Sequence, residues 1–295
     1  MHGCPVFTLD IPGSRAAGRA AWPGDPAFEN DRRYVVAQLR ELIPLLERVS
    51  GVRFDPDRLR ENLAHTEALS RSWSRVLWLN RSRPAPFNAL SDGTVFLGVA
   101  NAYRGTPTGA RYFEELVGEM EYKSASGIGI ATAERFRLVF VGVPCYPLFR
   151  RFNEMFTERE GSFVHSTYLW FASGGAHAAY EPTSTDPLER LAESVLVGVR
   201  DAMDSMFFHT DPLLRMVDEY LVDGVVYHPI KSCRTVSTGL ADSRRALLQA
   251  ADVPSLFLES DMMDRRVVSE AQLKNRIDAF FEGLASRRHQ TAIAG

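Results

Sequence analysis

The chain has 295 residues, of which 45% are hydrophobic and 24% charged, and a formal net charge of -3. That balance belongs to a folded globular protein; it leaves no electrostatic footprint for nucleic acid, and no run approaches the ~18 apolar residues of a membrane span. The three cysteines, Cys4, Cys145 and Cys233, lie far apart with no CxxC pair, which excludes a local zinc site. Together with an N-terminus lacking the order of a secretory signal, they point to a reducing cytoplasm.

Up to residue 127 the pattern is mainly helical. FENDRRYVVAQLRELIPLLERVSG sets Tyr34, Val35, Leu39, Leu42, Leu46 and Val49 at helical spacing and stops at Gly51. In DPDRLRENLAHTEALSRSWSRVLWLN, Asp55 is the expected cap and Pro56 opens the first turn, with Leu59, Leu63, Trp73 and Leu77 turned inward. RSRPAPFNALSDG reads as a loop, and GARYFEELVGEMEYKSASG as a helix ending near Gly127.

From residue 128 to 295 strand and helix alternate. RLVFVGVP is a continuously apolar run, as expected of a parallel strand covered on both faces. PLFRRFNEMFTEREG reads as a helix and SFVHST as a second strand. TDPLERLAESVLVGVRDAM carries Asp186 as cap and Pro187 at the first helical position, and TDPLLRMVDEYL repeats the pattern with Asp211 and Pro212. GVVYH and PSLFLES are the next strands. The final helix, SEAQLKNRIDAFFEGL, pairs Ser269 with Gln272 as a capping box and turns Leu273, Ile277, Phe280, Phe281 and Leu284 to one face. This alternation predicts an α/β fold: a doubly wound parallel sheet, flavodoxin-like, preceded by a mainly helical region.

In such sheets ligands sit beyond the carboxyl ends of the strands. The loops GVPCYP, HPIKSCRTVSTG and ESDMMDRRVVSE fall there, so Cys233 is expected to face Glu259, Asp261, Asp264 and Arg265. No phosphate-binding GxxxxGK[ST] loop, GxSxG or HExxH occurs, and SGIGIATAE lacks the third glycine of a dinucleotide fingerprint. A lone cysteine is more often structural than functional. Lys231 and Arg234 beside Cys233 favour thiolate, which suits either a nucleophile or a metal ligand. His228 is the one nearby base for a Cys/His pair. Cys145 reads as packing and Cys4 as without a role.

DGVVYHPIKSCRTVSTGLADSRR, followed by VPSLFLESDMMDRRVVSEAQLKNRIDAFFEGL, resembles the cluster-carrying subunits of ATP-dependent benzoyl-CoA reductase and the 2-hydroxyacyl-CoA dehydratases. PVFTLDIP, LIPLLERVSGVRFDPDRL, ERFRLVFVGVP and DPLERLAE extend the resemblance from Pro5 to about Arg287. It implies a 4Fe-4S cluster held by three cysteines, the third of which matches Cys233, with Ser232 and Arg234 ordering the cluster loop. Glu259, Asp261, Asp264 and Arg265 are then candidates for the substrate pocket. The other two cysteines belong to a preceding α/β domain, so residues 1–127 are expected to be the remainder of a truncated N-terminal domain and the ligand set to be incomplete. The implied partners are a homologous sister subunit, an ATP-hydrolysing electron-donor component and an acyl-CoA substrate. Benzoyl-CoA reductase is the first reading and 2-hydroxyacyl-CoA dehydratase the second. A third is an inactive truncated remnant that binds a sister subunit.

Overall fold

The computed structural model describes residues 5–13, 23–130, 134–173, 180–200 and 210–294. Cys4 and residues 201–203 of the expected helix TDPLERLAESVLVGVRDAM lie outside them. Four helices come first: α1 (Pro26–Ser50), α2 (Pro56–Leu79), α3 (Ser91–Tyr103) and α4 (Pro107–Ala125). Then follow β1 (Phe136–Gly142), α5 (Phe149–Thr157), β2 (Gly161–Ser166), α6 (Thr167–Ala172), α7 (Pro187–Val195) and α8 (Thr210–Glu219). The chain continues through β3 (Gly224–His228), α9 (Arg234–Ser237), α10 (Leu240–Ala251), β4 (Ser255–Phe257) and α11 (Glu270–Ala294).

The strands pair in the order β2-β1-β3-β4, all parallel, the order that flavodoxin-like sheets share. Every residue of β1, β2 and β3 is buried. Phe136, Leu138, Phe140 and Val226 pack on one face with Phe152 and Phe156 of α5 and Leu273, Ile277 and Phe281 of α11. Val139, Val141, Val225 and Tyr227 pack on the other with Leu213 and Met216 of α8 and Leu247 of α10. The alternation of side chains along each strand thus feeds two cores, and the doubly wound reading holds. Trp73 of α2 and Phe113 of α4 stack at 5.3 Å and belong to the first of these cores.

Arg137 sits inside the apolar run of β1, yet it is buried. Its guanidinium spends its donors on backbone carbonyls: Nε on Tyr220 at 2.7 Å, Nη1 on Ser82 at 3.1 Å and Nη2 on Asn80 at 2.8 Å. Glu134 supplies the compensating charge, as a buried cation requires. One side chain therefore ties the end of α2, the end of α8 and the start of β1 together.

The caps at Asp55 and Asp186 form as expected, each carboxylate accepting from two backbone amides of the first turn. Three expectations are corrected. The predicted loop through Gly93 ends at Leu90, because Asn88 Oδ1 accepts from the amides of Leu90 and Ser91 while Asp92 Oδ2 accepts from Asn88 N. This reciprocal cap starts α3 at Ser91. Asp211 lies inside the first turn of α8 rather than ahead of it. On α1 the apolar stripe is covered only as far as Leu39; Leu46 and Val49 remain 54% and 64% exposed.

The covered half of α1 packs Phe28, Val35, Val36 and Leu39 against Ala192, Leu196 and Val197, in and just beyond α7. At the seam Glu193 is fully buried and accepts four hydrogen bonds, from Arg32 Nη1 at 2.7 Å, Thr183 N at 2.7 Å, Thr183 Oγ1 at 3.0 Å and the Tyr180 hydroxyl at 3.0 Å. Burial alone would raise this carboxyl, but the donors outweigh it and hold the group below the ordinary range. Glu193→Ala should therefore destabilise the protein by about 3 kcal/mol, the cost of breaking a buried pair on one side. It should also make α1 the first site of limited proteolysis. Urea titration and a timed digest check this; an unchanged midpoint and digestion pattern would show that the apolar seam holds α1 alone.

Candidate active-site crevice

The chain leaves β1 for β2 on one side and returns in β3 on the other, so the crevice beyond the carboxyl ends opens between β1 and β3. The two strands approach closely here. Gly142, at φ +118°, pairs with His228, and a Cβ on it would stand 2.5 Å from the His228 carbonyl oxygen.

His228 itself is fully buried between Phe140 and Phe152, with ring centroids at 5.9 and 5.8 Å. Its Nδ1 lies 2.6 Å from the Val143 carbonyl and its Nε2 2.5 Å from Ser260 Oγ. A carbonyl only accepts, so Nδ1 carries the hydrogen and Nε2 accepts from the Ser260 hydroxyl. Ser260 Oγ is also 3.7 Å from Cys145 Sγ. The end of β3 and the loops following β1 and β4 are thereby locked through one imidazole. Burial pushes the His228 pKa down, against the Val143 hydrogen bond and the Asp261 charge. It also pushes the Cys145 thiol up.

Past His228 the chain keeps parallel company with the β4 extension. Ile230 bridges Ser260, and Lys231 N donates to Ser260 O at 3.2 Å. Ser237 Oγ accepts from Ile230 N at 2.7 Å and donates back to Ile230 O at 2.8 Å, folding the loop on itself. Cys233 N donates to Ile230 O, and Cys233 stands half-buried just before α9. Asp261 joins the loops: Oδ2 accepts from Ser232 N at 2.8 Å, and Oδ1 from Met263 N at 2.9 Å and Asp264 N at 3.0 Å. The Ser232 side chain and these amides hold its carboxyl far below the usual range.

The structure thus brings the Cys233 loop and the acidic loop to one sheet edge, as the alternation of elements predicts. Their residues divide by what they touch. Asp261 is buried with its oxygens engaged by the backbone, which makes it the clasp of the Cys233 loop. Asp264 pairs with Arg266, Nη2 to Oδ2 at 2.7 Å. The side chains of Lys231, Arg234, Glu259 and Arg265 are exposed, with no partner among the described residues, so the rim around Cys233 carries three free cations against one free carboxylate. The Cys/His pair does not form, because both His228 nitrogens are engaged elsewhere.

Ser260 escaped sequence reasoning although it lies between two acidic residues singled out there. Its signal was the strand alternation, which turns Leu258 and Ser260 inward together and leaves Glu259 exposed. Among the described residues no group of three or more His, Cys, Asp or Glu side chains could hold a metal ion. One half-buried thiol does not fit the ligand set of an iron–sulfur cluster. A cavity of about 490 Å³ lies elsewhere, between α2, α3, α6 and the α7 region, lined by Glu67, Arg71, Arg104, Tyr168 and Tyr180 among others and by none of the expected site residues. The crevice, by contrast, holds the half-buried Cys233 thiol and the unpaired cations. Tyr146, which follows Cys145, has its phenol pushed up by burial and by pairing with Tyr168.

The doubly wound parallel sheet thus carries a loop thiol and a clasped acidic loop at its carboxyl edge, the edge at which such α/β folds bind ligands. The chain belongs to the family described as 2-hydroxyglutaryl-CoA dehydratase, D-component, which it matches over residues 1–284. It is similar to a subunit of the benzoyl-CoA reductase of Thauera aromatica, at 32% identity across 99% of this chain and 67% of that protein. It is also similar to the alpha subunit of (R)-2-hydroxyglutaryl-CoA dehydratase of Acidaminococcus fermentans, at 24% across 96% and 55% respectively. The (R)-phenyllactyl-CoA dehydratase alpha subunit of Clostridium sporogenes matches at 25% across 96% and 65%. The chain therefore spans between half and two thirds of the length of these relatives, all of them subunits of enzymes. No described helix is long and apolar enough to cross a membrane.

The buried imidazole sets an acid limit. The unfolded chain protonates its histidines near pH 6.5, whereas His228 resists protonation in the fold. Its contribution to stability is complete above that pH and is lost as pH falls below it toward the folded pKa. His228→Gln should lower stability at pH 7 yet lose less than the parent between pH 7 and 5, as measured by urea midpoints. Parallel losses in the two proteins would contradict a neutral, locked ring.

Proposed function

We propose that this chain is a cytoplasmic subunit of an iron–sulfur enzyme of the benzoyl-CoA reductase type, acting on an acyl-CoA thioester. It would work with a homologous sister subunit and an ATP-hydrolysing electron donor. The observation that carries this reading is the Cys233 loop: in a chain of this family, Cys233 is the one described thiol that is not enclosed, at the crevice of the sheet. Thiolates suit iron–sulfur clusters. By itself Cys233 does not make a ligand set; it would supply one ligand of a cluster whose other ligands would lie outside the described residues. The free cations Lys231, Arg234 and Arg265 suit the negative charge of a thiolate-ligated cluster and of a CoA ligand. Such a group would supply low-potential electrons, and Ser232 and Asp261 hold the loop that presents the thiol. Glu259, Arg265 and Asp264 line the substrate side of the rim.

A second reading, 2-hydroxyacyl-CoA dehydratase, is favoured by the family description and by the relatives at 24–25% identity. The 32% identity to the reductase subunit ranks the first reading above it.

The test is anaerobic assembly with the sister subunit, followed by iron analysis and assay. Cys233→Ser should lower bound iron and reduce activity by about 100-fold or more, in line with the loss of a metal-site group. Cys145→Ser should keep its iron. Equal iron loss in the two variants would sink the assignment of Cys233. Reduction of benzoyl-CoA with ATP and reductant supports the first reading; dehydration of a 2-hydroxyacyl-CoA without ring reduction replaces it with the second.

A further inference from the structure

The edge strand β2 carries a histidine that the crevice does not use. His165 is 4% exposed, and its Nδ1 accepts from Ser166 N at 2.8 Å. Burial, and then the charge of Arg81, keep the ring neutral at a pKa of about 3. The hydrogen is therefore on Nε2, for which no acceptor exists among the described residues. Such a donor inside a protein ordinarily has a partner.

His165 lines a cavity of about 190 Å³ enclosed by the end of α2, by α6 and by α8. Trp78, Arg81, Trp170, Arg215 and Tyr220 line it too. The Arg81 guanidinium pairs with Glu219 and lies over the rings of Trp78 and Tyr220, at 5.6 and 5.3 Å. Its Nε, however, is buried and has no acceptor. Arg215 is exposed and has no partner among the described residues. An unpaired N–H donor on the buried His165 ring and a free guanidinium thus border one small cavity whose walls include the rings of Trp78, Trp170 and Tyr220. Arg81 and Arg215 against Glu219 leave one net positive charge, which balances a monoanion and not a phosphate dianion.

We propose that this cavity binds a small aromatic monocarboxylate, its carboxylate accepting from His165 Nε2 and Arg215, and its ring lying among Trp78, Trp170 and Tyr220. The site shares no residue with the Cys233 crevice, and the proposal does not rest on the function assigned there. The donors supply direction and charge, and the aromatic walls select a flat apolar body.

The experiment is calorimetric titration of the full 295-residue chain with sodium benzoate, benzamide and inorganic phosphate at fixed ionic strength. Benzoate should bind saturably at one site, and the uncharged isostere benzamide about 10-fold or more weaker, the worth of a charge-assisted contact. Arg215→Met, on the surface, should weaken benzoate about fivefold, and His165→Gln by at least as much. Should His165→Gln fail to fold, Arg215→Met and the benzamide comparison still decide. Phosphate binding in preference to benzoate, equal affinity for benzamide, an affinity unmoved in Arg215→Met, or no saturable benzoate binding because water alone fills the cavity would each overturn the proposal.

Discussion

The imidazole of His228 is where the sheet becomes a site. A parallel sheet needs no polar group at its carboxyl edge to be stable, and a buried histidine is costly unless both nitrogens are engaged. Here one nitrogen takes the Val143 carbonyl and the other the Ser260 hydroxyl, so the ring is satisfied only when the loops after β1 and β4 stand in one arrangement against the end of β3. Gly142 makes this possible by letting the β1 backbone come against His228 itself. The positions of the bridge at Ile230 and Ser260, of the Asp261 clasp and of Cys233 follow from that lock. A thiol presented on so determined a backbone is preorganised, which is what a ligand or reactive group needs.

Two buried charge centres do the corresponding work for the helices. Arg137 gathers carbonyls from the ends of α2 and α8 at the amino edge of the sheet, and Glu193 gathers donors from α1 and from the segment before α7. Both are fully satisfied, so they fix position as well as adding stability. Arg137 therefore keys the end of α2 to the sheet, and Glu193 keys α1 to the α7 region.

Much of this was legible in the residues. The alternation of apolar strands with helical stripes predicted the parallel sheet, and the Asp-Pro pairs at 55–56 and 186–187 marked helix starts that exist. The three loops assigned to the ligand edge do lie there. What periodicity cannot report is where a polar atom finds its partner. Asp261 reads as a residue facing a ligand, yet its oxygens are taken by backbone amides of its own and the neighbouring loop. Ser260 and Cys145, which meet in the lock, are 115 residues apart in the chain. The missed start of α3 arose the same way, from a reciprocal Asn88–Asp92 cap hidden in a proline-rich run. Leu46 and Val49 fit a helical stripe but remain exposed, because spacing predicts which residues share a face and not whether anything covers it.

The account places a lone presentable thiol at the crevice and encloses the other described one. Alkylation of the anaerobically purified, sister-subunit-containing complex, read by peptide mass spectrometry before and after iron removal, tests this most directly. Cys233 should be protected while iron is bound and modified once it is stripped, and Cys145 should stay unmodified in both states until the chain is unfolded. Modification of Cys233 at the same rate with and without iron would contradict its role as a ligand, and ready modification of Cys145 in the folded complex would contradict the lock.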